Sequence, residues 1–324
     1  MKNFESFLAP QLLEFIDYRK SLGFALQPLR ANLLIFDRYL AQHNATWGLL
    51  TPAFFLELRA NLKMQPSSIN KIVDTARALF QYLVRKDYYQ QNPLKDIPAL
   101  PENAFIPFIF SPQQIDQLLT AVCKTIRKDP KYFLKDLSTY MAILLLARCG
   151  LRISEPLRLM LHHYRTEDKT LYIEKTKFKK DRLIPVPKPV AEHIENYLSV
   201  RNALIGNNEN PYLFPGMKRK GLNDHRVRTV FHRAVKQIGL NQSTQTIANT
   251  TFGSPTPHCL RHAFAVNTLN QIKARGISPQ EALPVLATYM GHQHYTYTTK
   301  YLKVLGATHR HRLAQFNASH KDKI

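Results

Sequence analysis

The sequence predicts an α-helical bundle at the N terminus, followed by a mixed, mainly α-helical C-terminal domain with a small β-sheet. Apolar residues recur at helical spacing from residue 8 to residue 83, which is typical of packed helices. Prolines then cluster between residues 93 and 107 and end this periodicity. Beyond them, residues 170–174 and 182–186 form two short runs around a lysine-rich turn, as expected for paired strands.

Four helices with short connections are predicted in the bundle. The first has Pro10 in its opening turn, where a proline is tolerated, and it ends at Gly23. The second repeats the apolar spacing over residues 29–40. The third and fourth are expected to open with caps, at Thr51 before Pro52 and at Ser67 or Ser68.

The proline-rich stretch is the predicted domain boundary. Its residues show no clear periodicity, so we expect a stiff, extended linker. Ser111 and Gln114 then have the spacing of a capping box at the start of a new helix. The predicted organisation is a helical domain over residues 1–92, a linker over residues 93–110, and a second domain with a C-terminal tail over residues 111–324.

Most of the second domain is predicted to be helical. A buried helix is expected near residues 137–147, and further helices near residues 190–200, near residues 227–238 with a cap at Asp224, and from Pro257. Residues 241–257 are polar and are expected to form a long loop. Ser278 and Glu281 repeat the spacing of a capping box.

The charge of the chain favours a polyanionic partner. The sequence has 45 Lys and Arg against 23 Asp and Glu, a formal net charge of +22, spread along the chain rather than held in a tail. Nucleic acid is the first candidate for the partner. A membrane surface is the alternative, but the sequence has no long basic amphipathic helix with Trp on its apolar face.

Basic residues on the fourth helix are candidates for this interaction. Lys71 and Arg77 lie beside Asn70 on its polar face. Such a face could rest on phosphates, and a solvated face is the alternative.

Cysteine usage and the N terminus suggest the compartment. Cys123, Cys149 and Cys259 are far apart, which favours a reducing environment and argues against a zinc module. The first residues lack an apolar signal core, and the longest apolar run, residues 141–147, is too short to cross a bilayer. We expect a cytoplasmic protein that does not associate with membranes.

A tyrosine-rich segment near the C terminus is the predicted centre of the chemistry. Gly291 and His292 precede a run of tyrosines that ends at Tyr301, and tyrosine can serve as a covalent nucleophile. Nine positions, about two and a half helical turns, separate His292 from Tyr301. Both can reach one substrate atom only if the segment bends, and residues 295–299 are the expected place. Packing is the alternative role for these tyrosines.

Two further clusters have the chemistry of an anion site. His258, Arg261 and His262 lie three and four positions apart, which places them on one helical face. Arg152 follows the turn at Gly150, and Glu155 is three residues further on, where it could orient the guanidinium.

These motifs together resemble the boxes of the tyrosine recombinase (phage-type integrase) family. The matching segments are Gly150-Leu-Arg-Ile-Ser-Glu155, His258-Cys-Leu-Arg-His262 and Gly291-His292, with Tyr301 nine residues after the last. The likeness extends from the N-terminal bundle, which resembles the family's core-binding domain, to the end of the chain. It implies the DNA breaking-rejoining enzyme fold.

The resemblance implies a role for each matched residue. Arg152 and Arg261 would clamp the scissile phosphate, as forked and permanently charged donors can. His258 and His292 would hydrogen-bond that phosphate, and His258 could also accept the tyrosine proton. Tyr301 would attack phosphorus to give a 3′-phosphotyrosyl enzyme and a free 5′-hydroxyl. The bond energy stays in the phosphotyrosine, so no cofactor, ATP or metal is implied.

The family also uses a lysine in the turn between two strands as a general acid. The matching position is Lys177, although the glycines usual beside it are replaced here. Strand alternation places Lys175, Lys177 and Lys179 on one side, so Lys179 remains an alternative. Lys175, Lys179 and Lys180 are also candidates for contacting DNA.

The implied activity is site-specific recombination of double-stranded DNA by a homotetramer that clamps the duplex between the two domains. Integration or excision of a mobile element is the preferred role, and resolution of chromosome or plasmid dimers is second. The motifs do not identify which accessory proteins, if any, take part. A relaxing topoisomerase and a catalytically inactive DNA-binding protein are the alternatives from other classes.

Overall fold

The computed structural model describes residues 3–174, 181–205, 210–216, 220–292, 298–299 and 301–302. The chain divides into two compact units, Met1–Asn103 and Ala104–Ile324. Each unit has its own hydrophobic core. None of the helices in the described ranges combines the length and hydropathy needed to cross a bilayer.

The first unit contains the predicted four helices around an aromatic core. Phe55 lies between Phe36 and Phe80, with ring centroids 6.0 and 5.2 Å away, and all three side chains are buried. Such ring pairs stabilise a core beyond the burial of their apolar area. The helices are α1 (Ala9–Ser21), α2 (Leu26–Gln42), α3 (Pro52–Asn61) and α4 (Pro66–Arg85).

The predicted cap of α4 was wrong. The helix begins at Pro66, with Gln65 in the extended cap position, so Ser67 and Ser68 lie inside its first turn. Pro66 suits the first helical position because its ring fixes φ and it has no N–H to leave unsatisfied.

Arg77 on α4 has a structural role. Its Nε donates to the Leu94 carbonyl at 3.0 Å and its Nη2 to the Ile97 carbonyl at 2.8 Å. It also forms an ion pair with Asp74. These bonds hold residues 94–97 against the bundle. The Arg77 side chain is 30% exposed, and its contact with DNA stays a prediction. Lys71 is exposed on the same helix.

The predicted linker packs against both cores. Leu94 and Ile97 are buried in the first unit, whereas Phe110 is buried in the second. The units divide at Asn103 and Ala104, inside the predicted linker, but residues 93–110 are not a free spacer. Burial of these apolar side chains stabilises the segment against the two cores.

Two three-stranded sheets accompany the helices of the second unit. The predicted hairpin is present: β3 and β4 pair antiparallel, with the buried residues Leu171 and Ile184 opposite each other. A short strand, β2, extends this sheet in the order β2-β3-β4. The strands are β1 (Ala104–Ile106), β2 (Tyr164–Arg165), β3 (Thr170–Ile173), β4 (Arg182–Pro185), β5 (Gln245–Ile247) and β6 (Thr250–Phe252).

The second sheet corrects the prediction of a long loop. Within residues 241–257, β5 and β6 form an antiparallel hairpin, and β1 adds to β6 in parallel. Threonine and isoleucine dominate these strands, and β-branched residues fit a pleated surface. The polar composition of the segment concealed this pattern.

Helix α6 forms the centre of the second unit. Residues 141–147 are all buried, and the helix packs against α5, α7, α8 and α9. It therefore brings the turn at Gly150 beside α9. The helices of this unit are α5 (Pro112–Lys124), α6 (Pro130–Arg148), α7 (Lys188–Ile205), α8 (Asp224–Gln237), α9 (Pro257–Ala274) and α10 (Pro279–Met290).

Of the three helix caps predicted in the second unit, one is present and two are wrong. The Gln114 N–H donates to Ser111 Oγ at 3.2 Å and the Ser111 N–H donates to Gln114 Oε1 at 2.9 Å, which completes the capping box of α5. Helix α8 is capped by Asn223, so Asp224 is its first residue. The Ser278 hydroxyl donates to the Gln280 side chain instead of capping α10.

Candidate active site

Helix α9 presents the predicted basic face. The His258 and His262 rings lie edge to face with centroids 4.5 Å apart. The Arg261 side chain between them is 1% exposed. Its Nη1 donates to the Gly150 carbonyl at 2.6 Å and its Nη2 donates to the Met290 carbonyl. The face is therefore anchored to two other parts of the fold.

The turn after α6 positions Arg152. Gly150 has φ +59°, and a Cβ there would lie 2.4 Å from the Phe264 ring, so glycine is required for both conformation and space. Glu155 accepts from the Arg152 N–H at 2.8 Å and from its Nη1 at 2.9 Å. The carboxylate orients the guanidinium, as the spacing of the two residues suggested.

Arg182 is a residue of the site that sequence reasoning missed. Its Nη1 and Nη2 donate to Glu155 at 3.1 and 2.9 Å, and its Nε donates to the Tyr289 carbonyl at 2.9 Å. The side chain is 8% exposed. An arginine opening an otherwise apolar strand, β4, was the available signal, because a buried charge needs a partner.

Three consecutive carbonyl groups at the C-terminal end of α10 each accept a hydrogen bond from a different arginine. Helix C-terminal carbonyls have no partner within the helix and form the negative end of its dipole, so cations stabilise them. The arginines come from β4, α9 and the turn after α6. The pairs are Arg182 with Tyr289 at 2.9 Å, Arg261 with Met290, and Arg152 with Gly291 at 2.9 Å.

Gly291 ends α10 and directs the chain into the site. It has φ +65°, the left-handed conformation that commonly follows a helix. The His292 N–H donates to the Ala287 carbonyl at 2.9 Å, closing the turn. His292 follows the end of α10, and residues 298–299 and 301–302 are again helical. The bend predicted at residues 295–299 falls largely on residues outside the described ranges and stays a prediction.

The side chain of Tyr301 lies inside this cluster. It is 5% exposed, and its hydroxyl is 3.2 Å from Nδ1 of His262. The ring centroid of His292 is 6.2 Å from that of Tyr301, with the planes at 23°. Nδ1 of His292 is 2.8 Å from the Thr298 hydroxyl. The nitrogen beside the tyrosine hydroxyl thus belongs to His262, whereas the resemblance implied His258 as the proton acceptor.

Burial and the arginines set the ionisation of the site. Burial raises the pKa of Tyr301, while the charges of Arg261 and Arg152 act in the opposite direction. Burial and the same charges lower the pKa of His292 to about 4. They also lower the pKa of His258, although part of its side chain is exposed. Both imidazoles are therefore neutral at pH 7.

Glu155 remains ionised among the arginines. Burial acts to raise its pKa, but hydrogen bonds and the positive charge of Arg182 hold the pKa below its usual range. Its charge partly offsets those of Arg152, Arg182 and Arg261, and the site remains cationic. Such a site can bind a tetrahedral oxyanion and stabilise charge that develops on it.

The structure brings six of the predicted site residues together. Arg152, Glu155, His258, Arg261, His292 and Tyr301 form one cluster. Lys177, the predicted general acid, and its neighbours Lys175, Lys179 and Lys180 lie outside the described residues. Tyr289 is a packing residue, with its ring stacked on Phe264 at 5.5 Å.

Comparison with known proteins identifies relatives over most of the chain. The phage integrase family model matches residues 109–307. A putative integrase/recombinase, y4rE, from Sinorhizobium fredii (strain NBRC 101917 / NGR234) is 30% identical over 306 residues, 93% of either protein. Tyrosine recombinase XerD of Brucella suis biovar 1 (strain 1330) is 28% identical over 216 residues, 66% of this chain and 67% of XerD.

Solved integrase structures share the fold. The Tn1549 transposon integrase (residues 82–397), in complex with circular intermediate DNA, superposes with a TM-score of 0.63 at 20% identity, over 92% of this chain and 95% of that one. A lambda integrase tetramer bound to a Holliday junction gives a TM-score of 0.63 at 15% identity, over 89% of this chain and 78% of that one. The chain therefore belongs to the phage integrase family and is a tyrosine-type site-specific DNA recombinase.

Proposed function

We propose that this recombinase cleaves DNA with Tyr301 as the nucleophile and holds the cut strand as a 3′-phosphotyrosyl ester. The observation that carries this proposal is the position of the Tyr301 hydroxyl, buried 3.2 Å from a histidine nitrogen and in the field of Arg152 and Arg261. A tyrosine that only fills space in a core needs neither a base nor positive charges beside its hydroxyl. A phenol that must lose its proton and approach a phosphate gains from both the base and the positive charges.

Arg152 and Arg261 are the proposed phosphate ligands. A guanidinium has five N–H donors, and the bonds to carbonyls and to Glu155 leave further donors for an anion. The same bonds fix each side chain before DNA binds, which suits donors that must stabilise a transition state without reorganising. Glu155 and Arg182 support this arrangement without contacting the phosphate.

His258 and His292 are proposed to donate hydrogen bonds to the same phosphate. Their lowered pKa values keep them neutral at pH 7, so each ring has one N–H donor. Neutral donors add hydrogen bonds without further crowding of positive charge around Arg261. Phosphate binding should raise both pKa values.

Lys177 is the proposed general acid for the departing 5′-oxygen, with Lys179 as the alternative. This assignment rests on the resemblance to the family, since both residues lie outside the described ranges. What supports a separate acid is the chemistry: an alkoxide leaving group needs a proton, and His258 and His292, whose pKa values are lowered, are neutral at pH 7. Lys175 and Lys180 are proposed to contact the DNA backbone.

The proposed biological role is integration or excision of a mobile element by a homotetramer acting on double-stranded DNA. The name of the Sinorhizobium relative and the transposon integrase complex support this role. The lambda integrase tetramer on a Holliday junction supports the assembly. The net charge of +22 supports binding along the DNA backbone.

The test of the chemistry is a nicked suicide substrate. Cleavage beside the nick releases a short fragment, so the covalent complex accumulates and can be measured on a denaturing gel. Wild type should form the adduct, Tyr301→Phe should not, and Tyr140→Phe in α6 should behave as wild type. Wild-type yield of adduct from Tyr301→Phe would overturn the assignment of the nucleophile. No adduct from any of the proteins on the element's own ends would favour an inactive DNA-binding protein.

A further inference from the structure

We propose that His262 accepts the proton of Tyr301 during DNA cleavage and returns it during strand joining. This inference rests on the proposed role of Tyr301 as nucleophile, and it adds a residue to which the motif comparison gave no role. His262 would be a catalytic residue, because it contacts the reacting hydroxyl itself.

The geometry places His262 in hydrogen-bonding contact with the nucleophile. Its Nδ1 is 3.2 Å from the Tyr301 hydroxyl oxygen, and the two ring centroids are 5.6 Å apart. A general base must lie within hydrogen-bonding reach of the proton that it removes. In the tautomer with its proton on Nε2, His262 accepts the hydrogen bond from the phenol at Nδ1.

The position of His262 is fixed by its neighbours on α9. Arg261, the preceding residue, is bonded to the Gly150 and Met290 carbonyls. The His258 ring, one turn earlier, packs edge to face against the His262 ring at 80°. The base would therefore be held in place before DNA binds.

The two other imidazoles have different relationships to Tyr301. Nδ1 of His292 lies 2.8 Å from the Thr298 hydroxyl, and its ring lies nearly parallel to the Tyr301 ring at 6.2 Å. The His258 ring packs edge to face against the His262 ring. Burial and the charges of Arg261 and Arg152 lower the pKa of His258. This arrangement assigns His258 and His292 to the phosphate and His262 to the phenol.

The burial of the phenol explains why a base is needed. Tyr301 is 5% exposed and burial raises its pKa, so little phenolate forms spontaneously at pH 7. Arg261 and Arg152 favour the phenolate, but they cannot accept its proton. A neutral imidazole at hydrogen-bonding distance can accept that proton.

The proposed proton transfer balances in both directions. In cleavage, the phenol proton moves to Nδ1 of His262, the tyrosine oxygen bonds to phosphorus, and the bond to the 5′-oxygen breaks as that oxygen takes a proton from the general acid. In joining, a 5′-hydroxyl gives its proton back to that acid and attacks phosphorus. The bond to the tyrosine oxygen then breaks, and His262 returns the proton to it.

The test compares a reaction that uses the tyrosine with one that bypasses it. The first is adduct formation on the nicked suicide substrate by His262→Gln. The second is joining of a 5′-hydroxyl strand to DNA ending in a 3′-p-nitrophenyl phosphate, carried out in the Tyr301→Phe background with and without His262→Gln. p-Nitrophenolate leaves without a proton, so joining of this DNA needs the phosphate ligands but not the base. The Tyr301→Phe single variant is the reference for bypass joining. His193→Gln on α7 is the matched control for His262→Gln in both assays.

His262→Gln should slow adduct formation about 100-fold, within the range usual for a general base, and change bypass joining less than about threefold. An equal loss in both reactions would overturn the proposal in favour of a structural role. Wild-type adduct formation by His262→Gln would also overturn it. An adduct formed by Tyr301→Phe would instead refute the proposed nucleophile, so the two failures are distinguishable.

Discussion

Arg182 and Glu155 form a bidentate ion pair in which two guanidinium nitrogens lie 3.1 and 2.9 Å from the two carboxylate oxygens. Their side chains are 8% and 5% exposed. Glu155 also accepts from the backbone and side chain of Arg152. One carboxylate therefore connects strand β4, which follows the lysine-rich residues 175–180 in sequence, to the arginine proposed to bind the phosphate.

Replacing Glu155 with Gln should destabilise the protein and slow cleavage. The change leaves Arg152 and Arg182 close together without their shared counter-charge, and loss of one partner of a buried pair costs about 3 kcal/mol. Thermal or urea unfolding measures the stability, and the suicide substrate measures the cleavage rate. The control is Asp168→Asn, which breaks the exposed pair with Arg165 and should cost less than about 1 kcal/mol. Similar losses from both variants would contradict the prediction.

Replacing Gly291 with Ala should impair cleavage more than it impairs folding. The residue has φ +65°, and a Cβ would lie 3.0 Å from Nη1 and 3.1 Å from Cδ of Arg182. An alanine in this conformation costs about 1 kcal/mol, and the contact would also displace Arg182. Gly276→Ala is the matched control, because Gly276 has φ +79° with open space around it. Equal cleavage by the two variants would show that the Arg182 contact is unimportant.

Stability should fall as the pH is lowered from 7 to 5. The pKa of His292 is about 4 in the folded protein, against 6.5 for an ordinary histidine. Between these values the unfolded chain binds more protons, so acid favours unfolding, and the stabilisation is fully present only above 6.5. We expect His292 to contribute about 1 kcal/mol to the loss after allowing for solvent screening. Urea unfolding at both pH values should show a smaller drop for His292→Gln; an unchanged drop would contradict the prediction.

Replacing Lys177 with Ala should slow cleavage much less when the leaving 5′-oxygen is replaced by sulfur. A thiolate leaves with little protonation, so the general acid becomes dispensable. Cleavage rates on matched oxygen and sulfur substrates measure the rescue, and Lys179→Ala is the parallel variant. An equal loss on both substrates would transfer the role away from Lys177, to Lys179 first.

Residues whose relationships are local could be predicted from the sequence. Arg152 and Glu155 lie three apart at a turn, and His258, Arg261 and His262 share one helical face, so spacing alone indicated their contacts. The capping box of α5 and the β3–β4 hairpin are similarly local. These features need no knowledge of how distant segments pack.

The remaining features depend on tertiary packing. The bonds from Arg182 to Tyr289 and from His262 to Tyr301 join segments that are 107 and 39 residues apart. Likewise, β1 pairs with β6 across the chain, and Arg77 donates to the Leu94 and Ile97 carbonyls, 17 and 20 residues away. Periodicity and propensity describe neighbours in sequence, so they could not identify these partners.

The most direct test is to map the covalent bond between protein and DNA. The adduct trapped by wild type on the suicide substrate is digested with protease and nuclease, and the modified peptide is sequenced by mass spectrometry. The nucleotide should be attached to Tyr301 through its 3′-phosphate. Attachment to Tyr289, Tyr295, Tyr297 or any other residue, or through a 5′-phosphate, would contradict the proposed active site.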